Sequence, residues 1–157
     1  MEILNPVFGH RLRLSYYESR EGPRLMLFGP IDVDIASLQN CFRSLSKGEG
    51  PVKLHEAPFI AAFGGVELRA VCTGTIGARG GAKTVYHQGL ERCVPNAPSF
   101  EWSRSAEGWD YLAELISPLA TLDGRPAHQY LTRYPGEAAI VVVSRGEYPD
   151  SVLSGEG

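Results

Sequence analysis

Only two stretches of this 157-residue chain carry apolar residues at the three- and four-residue steps of a helix. In "PIDVDIASLQNCFRSLSKGEG", Ile35, Leu38, Phe42 and Leu45 share one helical side. Asp32 or Asp34 can accept from the first free backbone amides, and Lys47 with Gly48 supplies a favourable end. In "SAEGWDYLAELISPL", Ala106, Trp109, Leu112, Ala113 and Ile116 form the second stripe, with Ser105 as its cap and Pro118 ending the helix or lying just past its end. An alternating parallel βαβ array needs a helix between most of its strands, and two helices cannot serve a chain with this many strand patterns. The expectation is an α+β domain: a mainly antiparallel sheet with two principal helices, near 32–47 and 105–117, packed on one face.

The strands are read from period-two alternation. In "RLRLSYY" (11–17), Leu12, Leu14 and Tyr16 alternate with Arg11, Arg13 and Ser15, and "RLMLF" (24–28) resumes after "SREGP", which predicts a hairpin. "VELRAVC" (66–72) turns Val66, Leu68, Ala70 and Cys72 inward against Glu67 and Arg69. "SFEWS" leads as a strand into the second helix. "AHQYLT", the turn "RYPGE" and "AAIVVVS" make the strongest hairpin, over residues 127–143, with Pro135-Gly136 as the centre of a type II turn. Residues 73–98, rich in glycine and proline, are the least regular part. The closing "SVLSGEG" is expected to fray.

Composition narrows the functional classes. Hydrophobic residues make up 43% and charged residues 21%, ordinary globular usage for one domain over 1–157. A formal charge of −3 argues against a global grip on nucleic acid phosphates. The opening "MEILNPVFGH" has no basic region followed by an apolar core, so no signal peptide is expected, and "AAIVVV" is far short of the roughly 20 apolar residues a membrane helix needs. Cys41, Cys72 and Cys93, odd in number and irregular in spacing, read as reduced thiols of a cytoplasmic protein.

Each chemical motif meets an objection. "GARGGAKT" (77–84) has Gly77, Lys83 and Thr84 of a phosphate loop, but Ala82 stands where the second glycine is needed and the residues that follow make a poor helix. No cofactor is expected there, and weaker anion binding through Arg79 and Lys83 is the alternative use of the loop. His10, His55, His87, His128 and the cysteines lack any metal-ligand pair spacing, so no metal is expected. Cys72 or Cys93 with His87 or His128 would make a thiol nucleophile, but Cys41 and Cys72 fall on apolar faces, as inert thiols do. His128 and Glu147 flank the last hairpin, where they serve either acid–base chemistry in a small enzyme or the closure of a sheet end. With no second catalytic element in the sequence, a structural or binding use is favoured and no enzyme activity is expected.

The segment "FEWSRSAEGWDYLAELISPL" carries the most suggestive pattern. Glu101, Glu107, Asp110, Glu114 and Asp123 accompany a single base, Arg104, with Trp102, Trp109 and Tyr111 among them. Positions 107, 110 and 114 share one helix side, rotated from the stripe at 109, 112 and 116, so the acids should be exposed and Trp109 and Leu112 buried. An acidic face edged by aromatics suits a binder of basic proteins. In this segment, and in its size, acidity, layout and lack of catalytic motifs, the chain resembles the small cytosolic immunity proteins that neutralise bacterial polymorphic and contact-dependent toxins. The resemblance implies a non-catalytic module that binds a basic toxin domain, with Glu101, Glu107, Asp110 and Glu114 as the partner-binding residues.

Overall fold

The computed structural model describes residues 8–74, 89–121 and 125–154. Within them the chain is α+β. β1 (Leu12–Ser19) and β2 (Gly22–Gly29) form the expected antiparallel hairpin, from Arg13 opposite Phe28 to Ser19 opposite Gly22. β4 (Ile60–Ala62) pairs parallel with β1. On the other side β9 (Ile140–Arg145) pairs parallel with β2, and β8 (Ala127–Tyr130) pairs antiparallel with β9, giving the order β4-β1-β2-β9-β8. A second sheet has the order β3-β5-β7-β6, from β3 (Val52–Lys53), β5 (Glu67–Cys72), β7 (Ser99–Arg104) and β6 (Gly89–Arg92). Its central pair, β5 with β7, is parallel, and its outer pairs are antiparallel.

Two mixed sheets therefore replace the single, mainly antiparallel sheet expected from the sequence. The reason is physical: alternation reports which face of a strand is buried, but not which strand lies beside it. All three parallel pairs join strands distant in sequence, and no local signal announces them.

The helices fall where their stripes place them. α1 (Ile35–Ser46) buries Ile35, Leu38, Phe42 and Leu45, and Asp34, not Asp32, is its cap, accepting from the Ser37 amide at 2.9 Å. Gly48, at φ +87°, follows the helix and donates its amide to Leu45 O. α2 (Ala106–Leu115) buries Trp109, Leu112 and Ala113, and the Ser105 hydroxyl accepts from the Gly108 amide at 3.0 Å. Pro118 lies just past the end of α2, as expected. It stands in the first turn of the short α3 (Ser117–Ala120), where the missing amide costs nothing.

One core joins these layers. Phe42 of α1, Trp102 of β7 and Trp109 of α2 are all fully buried, with ring centroids 5.1 to 5.8 Å apart. Each such ring buries roughly 150–250 Å² and contributes roughly 4–6 kcal/mol of transfer free energy before entropic costs. Trp109 Nε1 also donates to Val71 O at 2.9 Å, which ties α2 to β5. The sheets meet where Tyr16 of β1 packs 5.6 Å from Phe100 of β7, with the Arg92 guanidinium over both rings.

The far face of the first sheet is covered as well. Arg13, expected to face water, is only 2% exposed. Alternation does turn it away from Leu12 and Leu14, but the turn Asp150–Ser154 closes over it. Its Nε and Nη2 donate to the two Asp150 carboxylate oxygens at 2.8 and 3.2 Å, and its Nη1 donates to Gly9 O and Arg11 O. Val152 and Leu153 pack on Met26, Phe28 and Val142. The tail expected to fray is thus seated on the sheet through residue 154. The long hairpin loop also departs from expectation. The Tyr134–Pro135 bond is cis and Gly136 is not at positive φ, so no type II turn forms. Instead the buried Thr132 hydroxyl donates to Ala139 O and accepts from the Val141 amide, extending the ladder through a side chain.

The two tryptophans differ in one respect that can be measured. Trp109 Nε1 has an acceptor, whereas Trp102 Nε1 is buried with none. Both phenylalanine substitutions remove the same volume, so Trp109→Phe is expected to destabilise the protein by about 1 kcal/mol more than Trp102→Phe. Urea denaturation of the two variants checks this, and equal losses would remove the Trp109–Val71 hydrogen bond from the account.

Candidate functional site

The acidic segment is exposed as the helical spacing requires: Glu107, Asp110 and Glu114 face water and Trp109 and Leu112 are buried. It is not an open acidic field. Arg43 of α1 lies across the helix pair and donates Nη1 to Asp110 Oδ1 and Nη2 to Glu114 Oε2. Glu101 stands elsewhere, on the face of the second sheet opposite Trp102, and pairs with Arg69 at 3.1 Å on the neighbouring strand. The structure therefore separates Glu101 from the other acids and gives three of the four expected contact residues an arginine partner.

The other sequence candidates divide in two. Arg79, Lys83, His87 and the rest of loop 77–84 lie outside the described residues, as does Asp123. His128 and Glu147 do meet, with His128 Nδ1 at 3.0 Å from Glu147 Oε2. The Ser144 hydroxyl donates to Glu147 Oε1 at 2.6 Å. Burial alone pushes the Glu147 carboxyl up, but the hydrogen bonds from Ser144 and His128, with the charge of His128, outweigh it and hold the group below its ordinary range. The arrangement closes the strand end. A serine nucleophile needs the histidine between hydroxyl and carboxylate, and here the carboxylate sits between the other two. Nor are Cys41 and Cys93 poised for attack. Burial pushes Cys41 up to about 11, and burial with the charge of Glu101 raises Cys93. His55 is held in the fold, its Nδ1 accepting from the Leu68 amide at 2.9 Å.

One concave surface among the described residues was not read from the sequence. It is a cleft of about 870 Å³ between the β1–β2 turn, the end of β7 with α2, and loop 131–139 after β8. Three arginines (Arg24, Arg104, Arg133) and three tyrosines (Tyr111, Tyr130, Tyr134) line it. All three tyrosines are exposed. A second hollow, of about 480 Å³ beside Met26, Phe63 and Leu153, has no charged lining residue.

Each wall has a local cause. Arg24 sits on β2 with its side chain 12% exposed, its guanidinium 5.7 Å from the Tyr130 ring and its Nη2 reaching Glu21 at 3.4 Å. Arg104 ends β7 one residue before the cap of α2, and it shares the inward face with Trp102 by alternation. Burial lowers its pKa against the opposing pull of Glu137. Loop 131–139 is fastened by Glu137, whose carboxylate accepts from the amides of Leu90 at 3.0 Å and Arg133 at 3.3 Å, while the Ala138 amide donates to Leu90 O. The Tyr134 ring lies on Gly22. A Cβ there would come within 2.4 Å of Tyr134 Cδ2, and its φ of +128° suits glycine alone.

The electrostatics are uneven. Glu137 spends both oxygens on backbone amides, and Glu21 lies at the exposed rim. The Nε atoms of Arg24 and Arg104 are buried without a hydrogen-bond partner. A buried N–H left without an acceptor costs about 1–3 kcal/mol. Partial signals existed in the sequence: Gln129, Tyr130 and Tyr134 cluster near the hairpin loop, and Arg104 stands alone among acids. Nothing in their spacing joins them to Arg24.

No helix among the described residues is long and apolar enough to cross a membrane. Comparison with family models, with curated proteins and with solved structures finds no match.

The Glu147 carboxylate gives a pH-dependent test. Its folded pKa is depressed, so its contribution is present above the ordinary carboxylate range and is lost as pH falls through the lower folded value. Glu147→Gln should cost about 1 kcal/mol or less at neutral pH, because a quarter of the side chain faces water, and the gap to the parent should close in acid. Urea melts at the two pH values test it, and a gap that persists in acid would show that the charge is not its source.

Proposed function

We propose that this chain is a non-catalytic protein-binding module of the immunity type, which binds and neutralises a cognate toxin domain, and that the arginine–tyrosine cleft is its docking surface. The observation that carries this reading is the gathering of Tyr111, Tyr130 and Tyr134 around Arg24, Arg104 and Arg133 on one concave surface. Tyrosine and arginine are the residue types that supply most of the binding energy at protein interfaces, since each offers a large rigid surface with a polar end. Gly22 and Glu137 hold the loop that bears Tyr134, so this part of the surface is shaped before a partner arrives. The inverted order of Ser144, Glu147 and His128 supports a binding role over catalysis. The free cysteines support a reducing, cytoplasmic setting.

The acidic side of α2 is the competing surface for a basic partner. Its charge is offset by Arg43, which makes it the weaker candidate. The two surfaces separate in one experiment, in which proteins encoded beside this gene are tested for binding by the purified chain. Tyr111→Ala and Tyr130→Ala should each weaken binding by about tenfold or more, equivalent to about 1.4 kcal/mol, with unchanged melting temperatures because both rings are exposed. Asp110→Lys with Glu114→Lys should leave the affinity nearly unchanged. The opposite result, with slowed association after charge reversal and full binding by the tyrosine variants, would move the interface to α2.

A further inference from the structure

We infer that the cleft takes an acidic segment of the partner, whose separate carboxylates seat on Arg24 and on Arg104. The inference rests on the docking surface proposed above and names the chemistry that surface recognises.

The two guanidiniums belong to different walls, Arg24 to β2 of the first sheet and Arg104 to the end of β7 in the second. Both side chains line the cleft. An arginine presents its donors as a planar fork, and a carboxylate spanning two of them makes paired, charge-assisted hydrogen bonds. A tyrosine ring accompanies each seat: Tyr130 lies under Arg24, and Tyr111 lines the same cleft as Arg104. These rings suit the carbon chain that carries an acid.

The size and charge of the cleft select among anions. About 870 Å³ exceeds what one small ion fills, and it accommodates a few residues of an extended chain. Three arginines against Glu21 and Glu137 leave one net positive charge on the lining. That suits a few carboxylates among uncharged residues better than the closely spaced phosphates of a nucleic acid, which the overall charge of −3 would also oppose.

The test uses the isolated full chain, labelled with ¹⁵N, and follows the arginine Nε–Hε resonances. The probes are a capped peptide alternating glutamate and glycine, its glutamine counterpart, and inorganic phosphate. The glutamate peptide should shift the Arg24 and Arg104 resonances along one common saturation curve, and the glutamine peptide should move neither. Arg104→Lys keeps the charge and loses the fork, so it should weaken the peptide at least fivefold, while Lys53→Gln, on another strand, should leave it unchanged. If the lysine variant fails to fold, Arg24→Lys serves in its place, and the parent titration needs no variant. Absence of shifts at both arginines would overturn the inference, as would separate saturation of the two. Tighter saturation by phosphate than by the peptide would overturn the carboxylate assignment. Because no partner enters this titration, its failure leaves the docking proposal standing. A successful titration beside inert tyrosine variants would sink docking and leave the seats.

Discussion

The contact among Phe42, Trp102 and Trp109 is the constraint from which the rest of the molecule follows. It brings one ring from each helix onto one strand of the second sheet, at centroid separations where edge-to-face packing is favourable. With Trp102 turned inward, Arg104 two residues later must lie on the same side of the strand. Ser105 then caps α2 at once, so the charged end of the strand cannot move away from the helix. Burial of the Arg104 guanidinium is thus a consequence of core packing, and the cleft inherits a desolvated cation from it.

Charge in this protein is distributed by the fold rather than by the chain. The acids of residues 101–114 look like one patch in sequence, yet Arg43 from the first helix and Arg69 from the adjacent strand meet three of them. The cations of the cleft come from three separate elements. Exposed ion pairs are individually weak, so the pairing on α2 adds little stability. Its larger effect is on the surface potential, which it flattens where the sequence suggested a negative face.

Two strands show how far local pattern can be taken. "AAIVVV" announces burial on both faces, and β9 is indeed central and covered on both, with Val141 and Val143 toward the main core and Val142 toward the tail. Its antiparallel partner β8 was legible because the two are close in sequence. Its parallel partner β2 was not, since more than a hundred residues separate them and either face would satisfy the same pattern. The buried Arg13 illustrates the same limit. Alternation turned it outward correctly, but whether outward means water depends on Asp150, at the other end of the chain.

The sequence by itself determined both helices and the Ser105 cap of the second, the first hairpin, the antiparallel pairing of the last two strands and the inward faces of most strands. These properties depend on neighbours within a few residues, where periodicity and capping chemistry act directly. Only the tertiary structure decided that there are two mixed sheets, that the tail covers the first of them, and that Arg24, Arg104 and Arg133 share a cleft with three tyrosines. Those outcomes arise from contacts between distant segments. A single chain's local pattern carries the energy of burying a face, but it does not say what will bury it.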